Sequence, residues 1–249
     1  MRVLLCGESW MTHSLHIKGV DSFNTSSYVE GAGQLRAVLE QAGIEVEYLP
    51  GHLVPSQFPG SAAELAGYGV VILSDIGANS ILLAPQTFEQ SQRAPDRLAA
   101  VAEYVRDGGG LLMIGGYLSF AGIEGKARYH ATPVEDALPV LIAPMDDRVE
   151  RPAGVRPDVI AAGHPVLRDV PGPWPALLGY NRVTPRPSAE VLVRCGDDPL
   201  VACWSHGAGR AAVFTSDCAP HWAPPEFMAW PGYAVLWPNL LRWLGGDAR

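Results

Sequence analysis

Short apolar runs and amphipathic stretches take turns along the first 115 residues. Arg2 to Cys6, Tyr68 to Ser74 and Leu111 to Ile114 are apolar almost without a break. Runs of that length read as strands covered on both faces, and Glu45 to Leu49 reads as a further strand. Between them lie segments with helical spacing. Ser26 to Ala42 sets Leu35, Val38 and Leu39 on one face and stops at Gly43. Ala62 to Ala66 is a short helix. Pro95 to Arg106 repeats the pattern with Leu98, Val101, Ala102 and Val105, and Gly108 to Gly110 closes it. Strand and helix in alternation predict a parallel sheet with helices on both faces.

The second half changes character. Residues 131 to 190 are punctuated by prolines, as in Arg151-Pro152, Pro171-Gly172-Pro173 and Thr184-Pro185-Arg186-Pro187. Glu190 to Arg194, Leu200 to Trp204 and Arg210 to Thr215 then read as strands, the last two joined as a hairpin through Ser205 to Gly209. Tyr233 to Leu244 reads as a closing helix with Leu236, Leu240 and Trp243 on one face. The expected fold is a three-layer, flavodoxin-like α/β domain spanning 1–249. Its sheet is mostly parallel, with a C-terminal β-hairpin and a proline-rich elaboration over about 131–190.

Composition narrows the partners. The chain has a formal net charge of −8 and only two lysines, Lys18 and Lys126. Nucleic acid and anionic membrane surfaces both select clustered cations, so neither is an expected partner. No apolar run approaches the roughly 18 residues of a membrane span. The apolar run at the N-terminus is cut off by Gly7 and Glu8, too short for the core of a signal peptide. A cytoplasmic location follows. Cys6, Cys195, Cys203 and Cys218 show no paired metal-ligand spacing and read as reduced structural thiols. His13, His16 and Asp21 offer a His-x-x-His interval without a supporting ligand, so no metal or other cofactor is expected.

Polar residues gather where the apolar runs end. Glu8 and Ser9 follow the first strand and Asp75 the third. Gly116, Tyr117 and Ser119 follow the fourth, and Asp217 and His221 follow the last sheet strand. The carboxyl edge of a parallel sheet is where α/β proteins bind ligands. Glu8, Ser9, Asp75 and Gly116 are therefore candidates to bind a small molecule, and Tyr117, Ser119, Asp217 and His221 are candidates for chemistry. The fourth strand breaks on Gly115-Gly116, the shape of a nucleophile elbow. Trp222, Trp230, Trp237 and Trp243 crowd the C-terminal region, as core or interface packing or, in a sharper reading, as an aromatic wall for a sugar or ring.

These segments resemble the class I glutamine amidotransferase-like superfamily. The narrower likeness is to the "putative glutamine amidotransferase" or cytoplasmic-protein family related to trehalose-utilisation-type proteins. It is carried by Val3 to Trp10, Val71 to Gly77, Gly109 to Phe120 and Gly207 to Trp222. The resemblance implies a cysteine on the elbow and a His-Pro-Glu-like pair after a late strand. This chain has Tyr117 on the elbow and, late in the chain, Asp217 and His221. A phenol that ionises near pH 10 is a poor nucleophile toward an amide, so conventional glutaminase activity is not expected. The leading expectation is a protein that binds a small polar metabolite or carbohydrate and forms a homo-oligomer. One alternative is a hydrolase using His221 or Asp217 as base with Tyr117 or Ser119. Another is a non-enzymatic assembly subunit, and an amidotransferase using Cys6 or Cys218 is the outsider.

Overall fold

The computed structural model describes residues 1–246. Among the described residues, fourteen strands form four sheets. The first six are β1 (Arg2–Gly7), β2 (Ser9–Lys18), β3 (Asp21–Glu30), β4 (Glu45–Leu49), β5 (Val70–Ser74) and β6 (Gly110–Ile114). The proline-rich region supplies β7 (Val140–Leu141), β8 (Arg148–Val155), β9 (Asp158–Val159), β10 (Leu177–Asn181) and β11 (Thr184–Pro185). The last three are β12 (Glu190–Cys195), β13 (Asp198–His206) and β14 (Gly209–Phe214).

The central sheet has eight strands in the order β4-β1-β5-β6-β14-β13-β12-β9. Pairings from β4 through β14 are parallel, and those from β14 to β9 are antiparallel. The expected late hairpin is β13–β14, in register from Val201↔Phe214 to His206↔Gly209. Side chains alternate across the sheet, as the two-residue repeat of a strand requires. Val3, Leu5, Val70, Ile72, Leu112 and Ile114 pack with Leu35, Leu39 and the final helix on one face. Leu4, Val71, Leu73, Leu111 and Met113 pack with Leu98, Val101 and Val105 on the other. The two buried layers with a sheet between them are the three-layer α/β arrangement that the sequence predicts.

Helices fall mostly where periodicity places them. Arg97–Arg106 is capped by Asp96, whose carboxylate accepts the Leu98 and Ala99 amides at 3.0 Å. The final helix runs Tyr233–Leu244. One expectation is corrected. The helix read over Ser26 to Ala42 forms only at Gly33–Gln41, where Leu35 and Leu39 are buried. Ser26 through Glu30 instead complete β3, because this stretch of Ser, Tyr and Val pairs residue for residue with β2.

β2 and β3 form a two-stranded ribbon of their own, in register from Ser9↔Glu30 to Lys18↔Asp21. The two-residue loop Gly19-Val20 joins them. Gly19 has φ +65°, and a positive φ at the first loop residue is what a hairpin with Gly there adopts. Beyond Ser9, every residue of both strands is exposed. The tryptophans behave in the opposite way. Trp222 and Trp237 are fully buried, Trp230 is nearly so, and both Trp230 and Trp237 stack within the core beside Phe214, Phe227 and Tyr233. The tryptophan-rich C-terminal region is therefore core and not an exposed assembly surface.

Candidate functional site

Four neighbouring strands, β1, β5, β6 and β14, run parallel, so their carboxyl ends share one edge. After β1 the chain moves outward to β4, then returns to place β5 on the other side of β1. The crevice between the ends of β1 and β5 is thus a point where strand order reverses, the preferred ligand position in open α/β sheets. Glu8 follows β1 and Asp75 follows β5. Both residues adopt left-handed backbone, with φ of +50° and +43°. Such conformations in non-glycine residues are strained and cluster at functional sites.

Glu8, Trp10, Asp75, Tyr117, Asp217, Pro220 and His221 line one cavity of about 220 Å³. Larger hollows exist elsewhere. One of about 470 Å³ lies where β5 and β6 begin, at Gly69 and Gly109, on the opposite edge of the sheet. Its carboxylates, Glu103 and Asp107, are exposed, whereas Glu8 and Asp217 are buried.

The carboxyl groups carry the electrostatics. Glu8 is 1% exposed. Its Oε2 accepts the Ser74 hydroxyl and, at 3.7 Å, the Cys218 thiol. Burial, with the negative charge of Asp75 second, pushes its pKa up to about 7. Asp217 is buried beside it and accepts the Ala219 amide at 2.9 Å. Burial first, then Glu8 and Asp75, hold its pKa well above the ordinary carboxylate range. Asp75 is half-buried and also shifted up by burial, although the Leu118 amide and His221 oppose the shift. Three acidic groups in one small space cannot all ionise cheaply, so all three shift toward the protonated form, and Glu8 is part-protonated near neutrality. The cluster can therefore donate and accept hydrogen bonds at once.

Aromatic groups and a backbone clamp shape the rest. Tyr117 meets His221 edge-on at 4.3 Å between ring centroids and Trp222 at 5.7 Å. Its hydroxyl donates to Glu150 Oε1 at 3.0 Å, and the Trp222 indole N–H donates to the other Glu150 oxygen. Arg148 lies over the Tyr117 ring at 4.7 Å. Burial, followed by the neighbouring Glu150 carboxylate, raises the Tyr117 pKa, so the phenol keeps its proton at neutral pH. Gly116 has φ +154°, and a Cβ there would stand 2.7 Å from Asp75 Oδ1. Its amide donates to Asn181 Oδ1 at 3.0 Å. Asn181 Nδ2 donates to Asp147 Oδ1, and Asp147 also accepts the Ala121 and Gly122 amides at 2.9 Å. The proline-rich elaboration thus holds the elbow from behind.

The structure brings five of the eight sequence candidates to the cavity: Glu8, Asp75, Tyr117, Asp217 and His221. Gly116 lies behind Asp75. Ser9 turns away, its hydroxyl accepting the Gly51 amide at 2.8 Å. The buried Ser119 hydroxyl donates to the Ile114 carbonyl and accepts the Asp75 amide. It pins two strand ends together, an arrangement that leaves it no free base. Sequence reasoning missed Pro220 and the supporting Ser74, Asp147, Glu150 and Asn181, and it weighed Cys218 only as a nucleophile, not as a partner of Glu8. Trp10 stood inside the first motif without being singled out. Only Ser74 and Cys218 had a usable signal, since each adjoins a candidate carboxylate in the chain.

Burial keeps the thiols in their protonated, weakly nucleophilic form. All four are buried and unpaired. Burial raises Cys6 far above its ordinary value, and burial with Glu8 and Asp217 does the same to Cys218. Donor atoms of Glu8, Asp217 and Cys218 lie within 4.8 Å of one another, close enough to hold a cation. His13 and His16 do not make such a site. They stand on opposite faces of the β2–β3 ribbon, bonded to Ser26 and Thr25 respectively.

A cytoplasmic protein of Salmonella typhimurium, STM3548, is 45% identical, with a TM-score of 0.95 over 98% of this chain and 99% of that one. Another, STM1381 from strain LT2, is 44% identical, with a TM-score of 0.94 over the same shares. A ThuA-like protein from Bacteroides uniformis has 15% identity and a TM-score of 0.56, covering 98% of this chain and 90% of that one, a likeness of fold alone. No match was found among curated proteins. Among the described residues, no helix is long and apolar enough to cross a membrane. The family model described as "putative glutamine amidotransferase" matches residues 2–246, and the chain belongs to that family.

Proposed function

We propose that this is a cytoplasmic protein that binds a small, neutral, hydroxyl-rich molecule, such as a single sugar ring or polyol, and that it does not hydrolyse glutamine. The observation that carries the reading is the meeting of Glu8, Asp75 and Asp217 around one cavity. Carboxyl groups that share protons offer both donors and acceptors, the pattern that hydroxyls satisfy. Residual negative charge disfavours an anion. Trp10 and Tyr117 flank the cavity with aromatic surface. A volume of about 220 Å³ lies below the roughly 300–1,000 Å³ of sites for drug-sized ligands, so the ligand is correspondingly small. The cytoplasmic assignment is supported by the Salmonella relatives, which are described as cytoplasmic proteins.

One feature favours a catalytic variant of the same reading. Glu8, with a pKa near 7, is poised for acid–base transfer to a bound hydroxyl.

Thermal-shift titrations with monosaccharides, polyols, small amines, sugar acids and glutamine test the proposal. The neutral hydroxyl compounds are expected to raise the melting temperature. A ligand at 100 times its Kd would add about 2.7 kcal/mol. Asp75→Asn and Asp217→Asn should abolish the shift. Ammonia release from glutamine that disappears in Cys218→Ala would overturn the reading.

A further inference from the structure

The β2–β3 ribbon stands away from the core with apolar residues on both faces. Met11, Leu15, Ile17 and Tyr28 share one face, and Trp10 and Phe23 lie on the other. Each is between 40% and 69% exposed. Met11, Leu15, Ile17 and Tyr28 make the larger of the two apolar faces, and contiguous apolar side chains in the open mark interaction surfaces. An isolated two-stranded hairpin is marginal in water, and beyond the base, where Tyr28 meets His52 edge-on, the residues of both strands stay exposed among the described residues.

The charge pattern identifies the occupant. Between Trp10 and Val29 the only formal charges are Lys18 and Asp21, which face each other across the strand pair at the tip. The rest of the molecule carries the whole net charge of −8. Two copies meeting through these ribbons bring none of that net negative charge together. A nucleic acid or anionic membrane would select a basic arm, and this one has a single lysine. The charged tip also argues against insertion into a bilayer core.

The geometry points to β2–β3 as an arm that clasps a second copy of this chain, in a symmetric dimer or a larger assembly built from it. A two-fold arrangement lets each arm cover its partner with the same surface. Trp10 belongs to both the arm and the cavity, so a partner seated on the arm stands beside the mouth of the site.

The test is light scattering with size exclusion on the full chain over a hundredfold range of concentration. Two variants accompany it. One joins Ser14 to Thr25, which are paired across the ribbon, through Asn-Gly in place of residues 15–24. The other is Leu15→Ser with Ile17→Ser, which keeps the ribbon if the shortened arm fails to fold. The wild type is expected as a dimer or an even multiple, with at least tenfold weaker association in a folded variant. A wild-type monomer at the highest concentration would overturn the proposal, as would assemblies of unchanged size and affinity in the double variant. Binding of a monomeric wild type to neutral phosphatidylcholine vesicles would assign the arm to a membrane and overturn it equally.

Discussion

Glu8 and Val20 are twelve positions apart and invert the same rule in opposite directions. Glu8 is an acid sealed to 1% exposure, and Val20 is an aliphatic residue wholly open to solvent. Between them the chain passes from the end of a fully covered strand to the tip of a bare ribbon. Acids are rarely buried and large apolar groups seldom cluster in the open, because each loses free energy there. At the sheet edge the loss is contained by a rigid frame: Ser74, Cys218 and the elbow loop fix the carboxyl groups. On the ribbon nothing within the chain contains it. The difference teaches that an unfavourable placement held by the fold marks a ligand site, while one left unheld marks a missing neighbour.

The strongest way to break this contrast is to remove the frame. Asp147→Ala would orphan the Ala121 and Gly122 amides and the Asn181 side chain. The expected loss is about 3–5 kcal/mol in urea denaturation. A loss below about 1 kcal/mol would mean that the elbow does not depend on the elaboration.

The next test is pH. Glu8 has a folded pKa of about 7 against an ordinary value of 4.5. The folded state therefore holds a proton that the unfolded chain releases. The stability this contributes is complete below about 4.5 and is lost as pH rises through 7. Glu8→Gln removes the titration. At pH 8 the variant is expected to be more stable than wild type by about 2–3 kcal/mol, and the gain should vanish near pH 4. A difference independent of pH would show that the carboxyl is not the source.

The smallest effect belongs to the arm. At a concentration where the chain is monomeric, Ile17→Thr should shift stability by no more than about 0.5 kcal/mol, since exposed positions tolerate substitution. A larger loss would show that the ribbon packs on its own core and would close the gap between the two regions.

The same division decides what the sequence makes legible. Buried strands announce themselves as apolar runs, so β1, β5, β6 and the β13–β14 hairpin can be placed before any coordinates, as can the final helix. Glu8, Asp75, Tyr117, Asp217 and His221 can be picked because each follows such a run. Ser9 and Ser119 satisfy the same rule, yet their hydroxyls serve the backbone, a distinction only geometry makes. The ribbon escapes because neither of its faces is buried, which removes the alternation that marks a half-covered strand. Helical spacing in Leu35, Val38 and Leu39 then draws the helix start back into β3. Asp147, Glu150 and Asn181 escape for another reason: the elbow residues they bond, Gly122, Tyr117 and Gly116, lie at least 25 residues away in the chain.

Proton sharing at the sheet edge also changes what the molecule looks like to its surroundings. The count of −8 treats every acid as ionised. With Asp217 shifted well upward and Glu8 half-titrated at neutrality, the folded protein carries less negative charge than that count. It is a weak buffer in the range where cells operate. A ligand that favours one protonation state of the cluster would exchange protons with solvent as it binds, so its heat of binding would depend on the buffer chosen.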